Sequence, residues 1–277
     1  MKKLSIVAAL FGLVIGVIGV FYYGFAHPAS SVTVNETKTI QVKDINKINL
    51  ESRSSSVHFY PSASDVLTVH LHGKTSRKDL VFSVSKSGDT ALIDIGPKND
   101  HVFHLSLFEF MNNNLQADVE VPQKMYSELT GHSQAGSIDI RQLSAGRMDL
   151  DSSAGSIKGE DLKGDVTAHS SAGSIKLTNI EGKMDLSSSA GSVDVEVKAI
   201  TQDITAHSSA GSVRIVTGKQ PESLQLNLQT SAGSVNVNLA NVSYSTKEHD
   251  RVLGSIGSGG PKLQLESSAG SVSINKK

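Results

Sequence analysis

Seven residues of this 277-residue chain stand at nearly even intervals and have side chains suited to chemistry: His132, Asp151, His169, Ser187, His207, Gln229 and Glu266. Each lies four positions before the glycine of a recurring phrase. Imidazoles and carboxylates are the usual ligands of zinc-class ions and the usual proton carriers near neutral pH. His132, Asp151 and His169 would therefore make a pH-responsive or metal-binding stripe if the chain stacked them. The stacking distance limits that idea. Strands lie about 4.8 Å apart, so histidines two layers apart would be nearly 10 Å apart. One zinc with bonds of about 2.1 Å cannot reach both. Only a His–Asp pair from adjacent layers could share an ion, and its coordination would be incomplete. The expectation is a solvated face of favourable neighbouring charges, with His132, Asp151, His169 and His207 as the candidate surface ladder and no metal or cofactor assigned.

Other chemistries fare no better. A second column of hydroxyls (Ser137, Ser156, Ser174, Ser192, Ser212, Ser234, Ser271) repeats too regularly to contain one nucleophile, which needs its own oriented base. Asp149, Asp151 and Asp185 would satisfy the carboxylate spacing of a glycosidase, as would almost any charged sheet face. Cysteine is absent, which removes disulfides, thiolate metal sites and catalytic thiols. No phosphate loop, dinucleotide fingerprint or zinc-protease motif is present. No catalytic residue is expected. The formal net charge of −1 argues against nucleic acid, which needs a basic stripe.

The elements that must position these side chains follow from one repeated phrase. It reads SQAGSIDI, SSAGSIKG, SSAGSIKL, SSAGSVDV, SSAGSVRI, TSAGSVNV and SSAGSVSI, with glycines at Gly136, Gly155, Gly173, Gly191, Gly211, Gly233 and Gly270. The intervals are 19, 18, 18, 20, 22 and 37 residues. A period near 20 marks a solenoid. Apolar residues alternate with polar ones on both sides of the phrase, as in Met148/Leu150 before and Ile175/Leu177 after, so each side is a strand with one buried face. The phrase is then a corner, where glycine supplies positive φ, small Ala fits inside and Ser satisfies turn backbone. Gly146, Gly164 and Gly182 mark a second corner. No coil can bury its apolar face alone, so the coils fold together.

This gives an all-β fold, a parallel β-solenoid, over residues 126–277. Residues 46–125 alternate without the phrase and are expected to form an N-terminal β cap, with SRSSSVHF at 52–59 as a degenerate first copy. The long interval near 240–262 reads as a loop inserted in one coil. The last coil, SSAGSVSINKK, would end the chain with an open edge, covered by that loop, guarded by Lys276 and Lys277, or joined end to end with a second copy in a homo-oligomer. Residues 26–45 read as a linker. Before them, Lys2 and Lys3 precede an uncharged run from Leu4 to Phe25. Its 22 residues would span roughly 33 Å as a helix, enough for a bilayer core. Residues 1–25 are thus expected to be a single-pass transmembrane anchor, preferred to a cleaved signal peptide, with the C-terminal domain outside the cell membrane. The apolar stretch 101–111, HVFHLSLFEFM, is read as plugging the cap or touching a membrane or partner.

The repeated Ser-Ala-Gly-Ser-Val/Ile coils, the preceding Val119-Glu-Val-Pro122 segment and the N-terminal anchor resemble the bacterial "putative adhesin" family of DUF4097-type β-repeat proteins over roughly residues 45–275. The resemblance implies an extracytoplasmic β-solenoid with no established activity. The anchored layout is similar to that of a member encoded in a cell-envelope stress operon, which implies a place in that response. The expected function is a scaffold or ligand-binding module whose partner is an envelope protein or a cell-wall polymer. Surface adhesion and cell-wall polysaccharide hydrolysis are the alternatives.

Overall fold

The computed structural model describes residues 31–77, 79–98 and 114–277. The expected anchor at 4–25 and the 101–111 stretch lie outside these. No helix among the described residues is long and apolar enough to cross a membrane.

The described chain is built from strands, numbered here in chain order, and arranged as two facing walls joined at corners. The stack begins with a coil made of β6 (Thr90–Pro97) and β7 (Asn114–Pro122). It continues through β2 (Lys47–Ser52) with β3 (Ser55–Ser62), β8 (Met125–Ser133) with β9 (Ile138–Arg141), and β10 (Ser144–Ser152) with the first half of β11 (Ile157–Ser170). Next come the second half of β11 with β12 (Ile175–Glu181), β13 (Met184–Ser188) with β14 (Val193–Val197), and β15 (Ile204–Ser208) with β16 (Val213–Thr217). The last two coils are β21 (Lys262–Ala269) with β22 (Val272–Lys276) and then β17 (Leu224–Ala232) with β18 (Val235–Asn238). Every neighbouring pair in this series is parallel, and the pairs are in register apart from a shift between Ser144 and Arg147 where β10 meets β11. Because β11 runs through both walls, the ladders join into one 22-stranded sheet folded on itself.

Sequence order and stacking order part company at both ends. The last coil of the chain does not end the stack: β21 sits between β15 and β17, and β22 between β16 and β18. The expected open edge at Lys276 is therefore corrected. The segment read as an inserted loop near 240–262 carries β19 (Ser243–Lys247) and β20 (Arg251–Ile256), which form an antiparallel hairpin on β17, one coil beyond the coil it was expected to cover. The near end mirrors this. The first coil in sequence is interior, and β4 (Val66–Thr75) and β5 (Leu80–Ser87) pair antiparallel with β7 and β6 outside it. SRSSSVHF does form a solenoid coil, so the span read as a cap contains two coils as well as the capping strands. Residues 32–41, read as part of a linker, form β1 (Val32–Gln41) on the outer edge of β4. Its residues are only half-buried or exposed, which explains the misreading, since an edge strand buries little. Antiparallel strands thus cover the outer edges of β6 and β7 at the near end and of β17 at the far end, which takes up the ladder hydrogen bonds that parallel edges would leave open.

The core lies between the walls. One inward column runs Leu50, Gly131, Leu150, Ala168, Leu186, Ala206, Leu265 and Leu228, and its side chains are buried. Large and small residues alternate along most of it, so each Leu fills the space its Gly or Ala neighbour leaves. The facing wall answers with Ile138, Ile157, Ile175, Val193, Val213 and Val272, all 0% exposed.

The phrase corner has a different rationale from the one expected. Its glycines do not have positive φ. They are required because the corners touch. A Cβ on Gly155 would sit 2.2 Å from the Gly136 carbonyl oxygen, and one on Gly173 the same distance from that of Gly155. The left-handed corner is on the opposite side, at Gln142, Asp161 and Asn179, with φ of 53°, 53° and 55°. Two side chains of that corner also pair, Asn179 Nδ2 donating to Asp161 Oδ1 at 3.0 Å. The first Ser of each phrase points inward and ties neighbouring coils. Ser170 Oγ donates to Gly155 O at 3.0 Å and accepts from Gly173 N–H at 2.9 Å. Ser152, Ser188 and Ser208 repeat the pattern. The Ser that follows the phrase glycine stays outside, where Ser156 Oγ accepts from Ser174 N–H at 3.3 Å and its neighbours do likewise.

Candidate functional site

On the outer face of the first wall, alternation places every second residue in solvent, and the in-register stacking turns those residues into rows. The column expected from the sequence lies in one row. Asp94, Glu51, His132, Asp151, His169, Ser187, His207, Glu266 and Gln229 are successive register partners. The intercalated last coil puts Glu266 beside His207, ahead of Gln229, an order that spacing alone could not give. His207 Nδ1 lies 3.9 Å from Glu266 Oε2, and His169 Nδ1 lies 2.7 Å from Ser187 Oγ. The next row on the same face is Asn49, Thr130, Asp149, Thr167, Asp185, Thr205, Gln264 and Asn227. It presents hydroxyl, carboxylate and amide groups at the strand spacing of about 4.8 Å.

Asp151, His169 and Ser187 thus occupy three adjacent coils, a sequence of groups that invites comparison with a nucleophile, base and orienting acid. The hydroxyl–imidazole contact is short enough for such a pair. No ion pair joins Asp151 to His169 among the described residues, and the strands' N–H groups are engaged in the parallel ladders on either side. An oxyanion needs unshared donors aimed at one point, and a flat sheet face directs none there. Asp149, Asp151 and Asp185 likewise sit on this open face.

The second wall carries a row that the sequence reading missed. His70, Asp118, His58, Asp139, Lys158, Lys176, Asp194 and Arg214 are successive partners. Arg141 clamps Asp139 with two hydrogen bonds, Nε to Oδ1 at 2.8 Å and Nη2 to Oδ2 at 2.7 Å. That clamp, opposed by partial burial and helped by the charges of Arg141, Lys158 and His58, holds the Asp139 carboxyl below the usual carboxylate range. Arg214 Nε donates to Asp194 Oδ1 at 2.7 Å. These side chains, with Lys176, Glu196 and Lys277, border a shallow recess of about 240 Å³.

At the near end of this row three histidines surround one carboxylate. His72 Nε2 is 3.1 Å from Asp118 Oδ2, and His58 Nδ1 is 3.2 Å from Asp118 Oδ1. The His70 and His72 rings stack with centroids 4.9 Å apart. Among the described residues, His70, His72 and Asp118 are the one group of three whose ligand atoms all lie within 4.8 Å of one another. The expected ladder of His132, Asp151, His169 and His207 brings no such group together. The sequence signal for the real cluster was the His70-x-His72 alternation on a strand. What could not be read was that β4 folds antiparallel against β7, which carries Asp118.

Comparison with known proteins bears on the fold. The family model described as Toastrack DUF4097 matches residues 45–168 and again 164–275. No curated protein matches. Among solved structures, the chain is similar to a "putative cell adhesion protein" from Clostridium sporogenes, with 11% identity, a TM-score of 0.42, and coverage of 89% of this chain and 100% of that one. It is also similar to a "putative adhesin" from Bacteroides fragilis, with 14% identity, a TM-score of 0.40, and coverage of 87% and 97%.

Proposed function

We propose, from the premise that this chain belongs to the Toastrack DUF4097 family, that it is a non-catalytic binding scaffold displayed outside the cell membrane on an anchor at residues 4–25. The observation that carries this reading is the pair of continuous outward rows. Nine coils in register hold polar side chains at a fixed repeat on a rigid frame, an arrangement suited to contacting an extended or repetitive partner through many modest interactions. Such contacts add affinity through number more than through any one residue. The row of Asn49, Thr130, Asp149, Thr167, Asp185 and Thr205 offers hydrogen-bonding groups for a hydroxyl-rich or amide-bearing cell-wall polymer. The mixed-charge row on the other wall suits a protein of the envelope. A role in envelope-stress response follows the resemblance of the anchored layout, and adhesion is the same binding directed at a foreign surface.

The test is capture of the full chain from membranes, paired with sedimentation alongside purified cell-wall sacculi. Retention of an envelope protein or co-sedimentation with the sacculi supports the scaffold reading. Turnover of wall glycans by the purified chain would overturn it in favour of the enzyme.

A further inference from the structure

We infer that His70, His72 and Asp118 form a binding site for a divalent transition-metal ion of the zinc class, which goes beyond the scaffold reading. The strand period of two sends both histidines of β4 to the same face. The antiparallel register sets Asp118 of β7 directly opposite His70, diagonal to His72. Two ligands of a tetrahedral zinc with bonds near 2.05 Å are about 3.3 Å apart, and His72 Nε2 and Asp118 Oδ2 already stand 3.1 Å apart. His70 completes the set within 4.8 Å; its Nε2 now lies 2.7 Å from Asn35 Oδ1, a contact that ion binding would have to replace.

The surroundings match those of a metal ligand set. The second oxygen of Asp118 accepts from Gln116 Nε2 at 3.4 Å, and that amide also lies 2.8 Å from His58 Nδ1, itself 3.2 Å from the same oxygen, so Gln116 and His58 together flank and orient the carboxylate as outer partners of metal ligands do. Two imidazoles and one carboxylate favour zinc, nickel or copper over calcium and magnesium, which take oxygen ligands almost exclusively. The His72 and Asp118 side chains are 35% and 24% exposed, so an ion can enter from solvent. Three protein ligands leave a coordination position open for water or for a donor group of a partner. The ligands come from the antiparallel capping strand β4 and from the outermost coil, so the ion would pin the cap to the stack.

The experiment titrates the untagged full-length chain in mild detergent with zinc chloride by calorimetry, and follows melting with and without zinc. One ion should bind per chain and raise the melting temperature. His72→Ala and Asp118→Ala should each weaken binding at least tenfold, and His58→Ala by about 10- to 100-fold, as loss of an outer partner does. The combined variant His132→Ala, His169→Ala, His207→Ala should bind like the parent. Circular dichroism checks that each variant is folded, and His70→Gln with His72→Gln serves in place of any alanine variant that is not. Absence of binding, affinity unchanged by His72→Ala and Asp118→Ala, or affinity lost in the triple variant would each overturn the site.

Discussion

Replacing Ser170 by Ala should destabilise the domain far more than replacing Ser174 by Ala, although the two lie in the same phrase and differ from Ala by the same single oxygen. Ser170 Oγ is buried, donates to Gly155 O at 3.0 Å and accepts from Gly173 N–H at 2.9 Å. Its removal strips a partner from two backbone groups at the junction of two coils. A buried polar group left unpaired costs about 1–3 kcal/mol, so the two together should cost about 2–6 kcal/mol. Ser174 Oγ is exposed and only accepts from Ser192 N–H at 3.2 Å, and water replaces it, so its loss should cost less than about 1 kcal/mol. Urea unfolding followed by circular dichroism would measure both. Equal destabilisation by the two variants, or a larger effect at Ser174, would refute the assignment of the inner Ser column as the tie between coils.

Gly173→Ala should be worse than either, because its Cβ would meet the Gly155 carbonyl oxygen at 2.2 Å and must force neighbouring corners apart; a loss of melting temperature larger than that of Ser170→Ala is the expected result. Arg214→Ala, which removes an exposed ion pair with Asp194, should change unfolding free energy by no more than about 1 kcal/mol. Burial pushes the Tyr126 phenol up to about 12, and its O–H donates to Pro122 O at 3.1 Å. The neutral phenol is thus favoured in the folded state; the stability it contributes is full below pH 10 and is lost as pH rises through about 12. Alkaline unfolding followed by phenolate absorbance should show this loss, and Tyr126→Phe should reduce it. A serine-directed phosphonofluoridate should leave Ser187 unlabelled, and stoichiometric labelling there would revive the catalytic reading of Asp151, His169 and Ser187.

The repeat, the alternation and the outward row through His132, Asp151, His169 and His207 were legible in the sequence because each depends on local spacing and in-register stacking. The ends were not. That β21 inserts between β15 and β17 depends on long-range pairing that the period of the phrase does not encode: Leu263 and Leu265 are register partners of Ile204 and Ala206 on one side and of Leu226 and Leu228 on the other, and the same alternation suits either neighbour. The corner glycines were recognised for their spacing but explained by the wrong property, since close approach between coils leaves no mark on one corner taken alone. The left-handed corner went unnoticed because Gln142, Asp161 and Asn179 are three different residue types. The histidine cluster was missed because its members come from β3, β4 and β7, whose partnership is set by the antiparallel cap and not by the repeat.

The in-register stack, with its displaced last coil, can be tested most directly by cross-linking, since the chain has no cysteine of its own. His207 and Glu266 are register partners on adjacent strands, whereas His207 and Gln229 are separated by the intervening β21. Parallel neighbours lie about 4.8 Å apart, within disulfide reach, and second neighbours near 10 Å are beyond it. Under mild oxidation, the pair His207→Cys with Glu266→Cys should form an intramolecular disulfide and His207→Cys with Gln229→Cys should not. The reverse pattern would mean that the coils stack in chain order, and the rows on which the proposed binding faces rest would then be wrong.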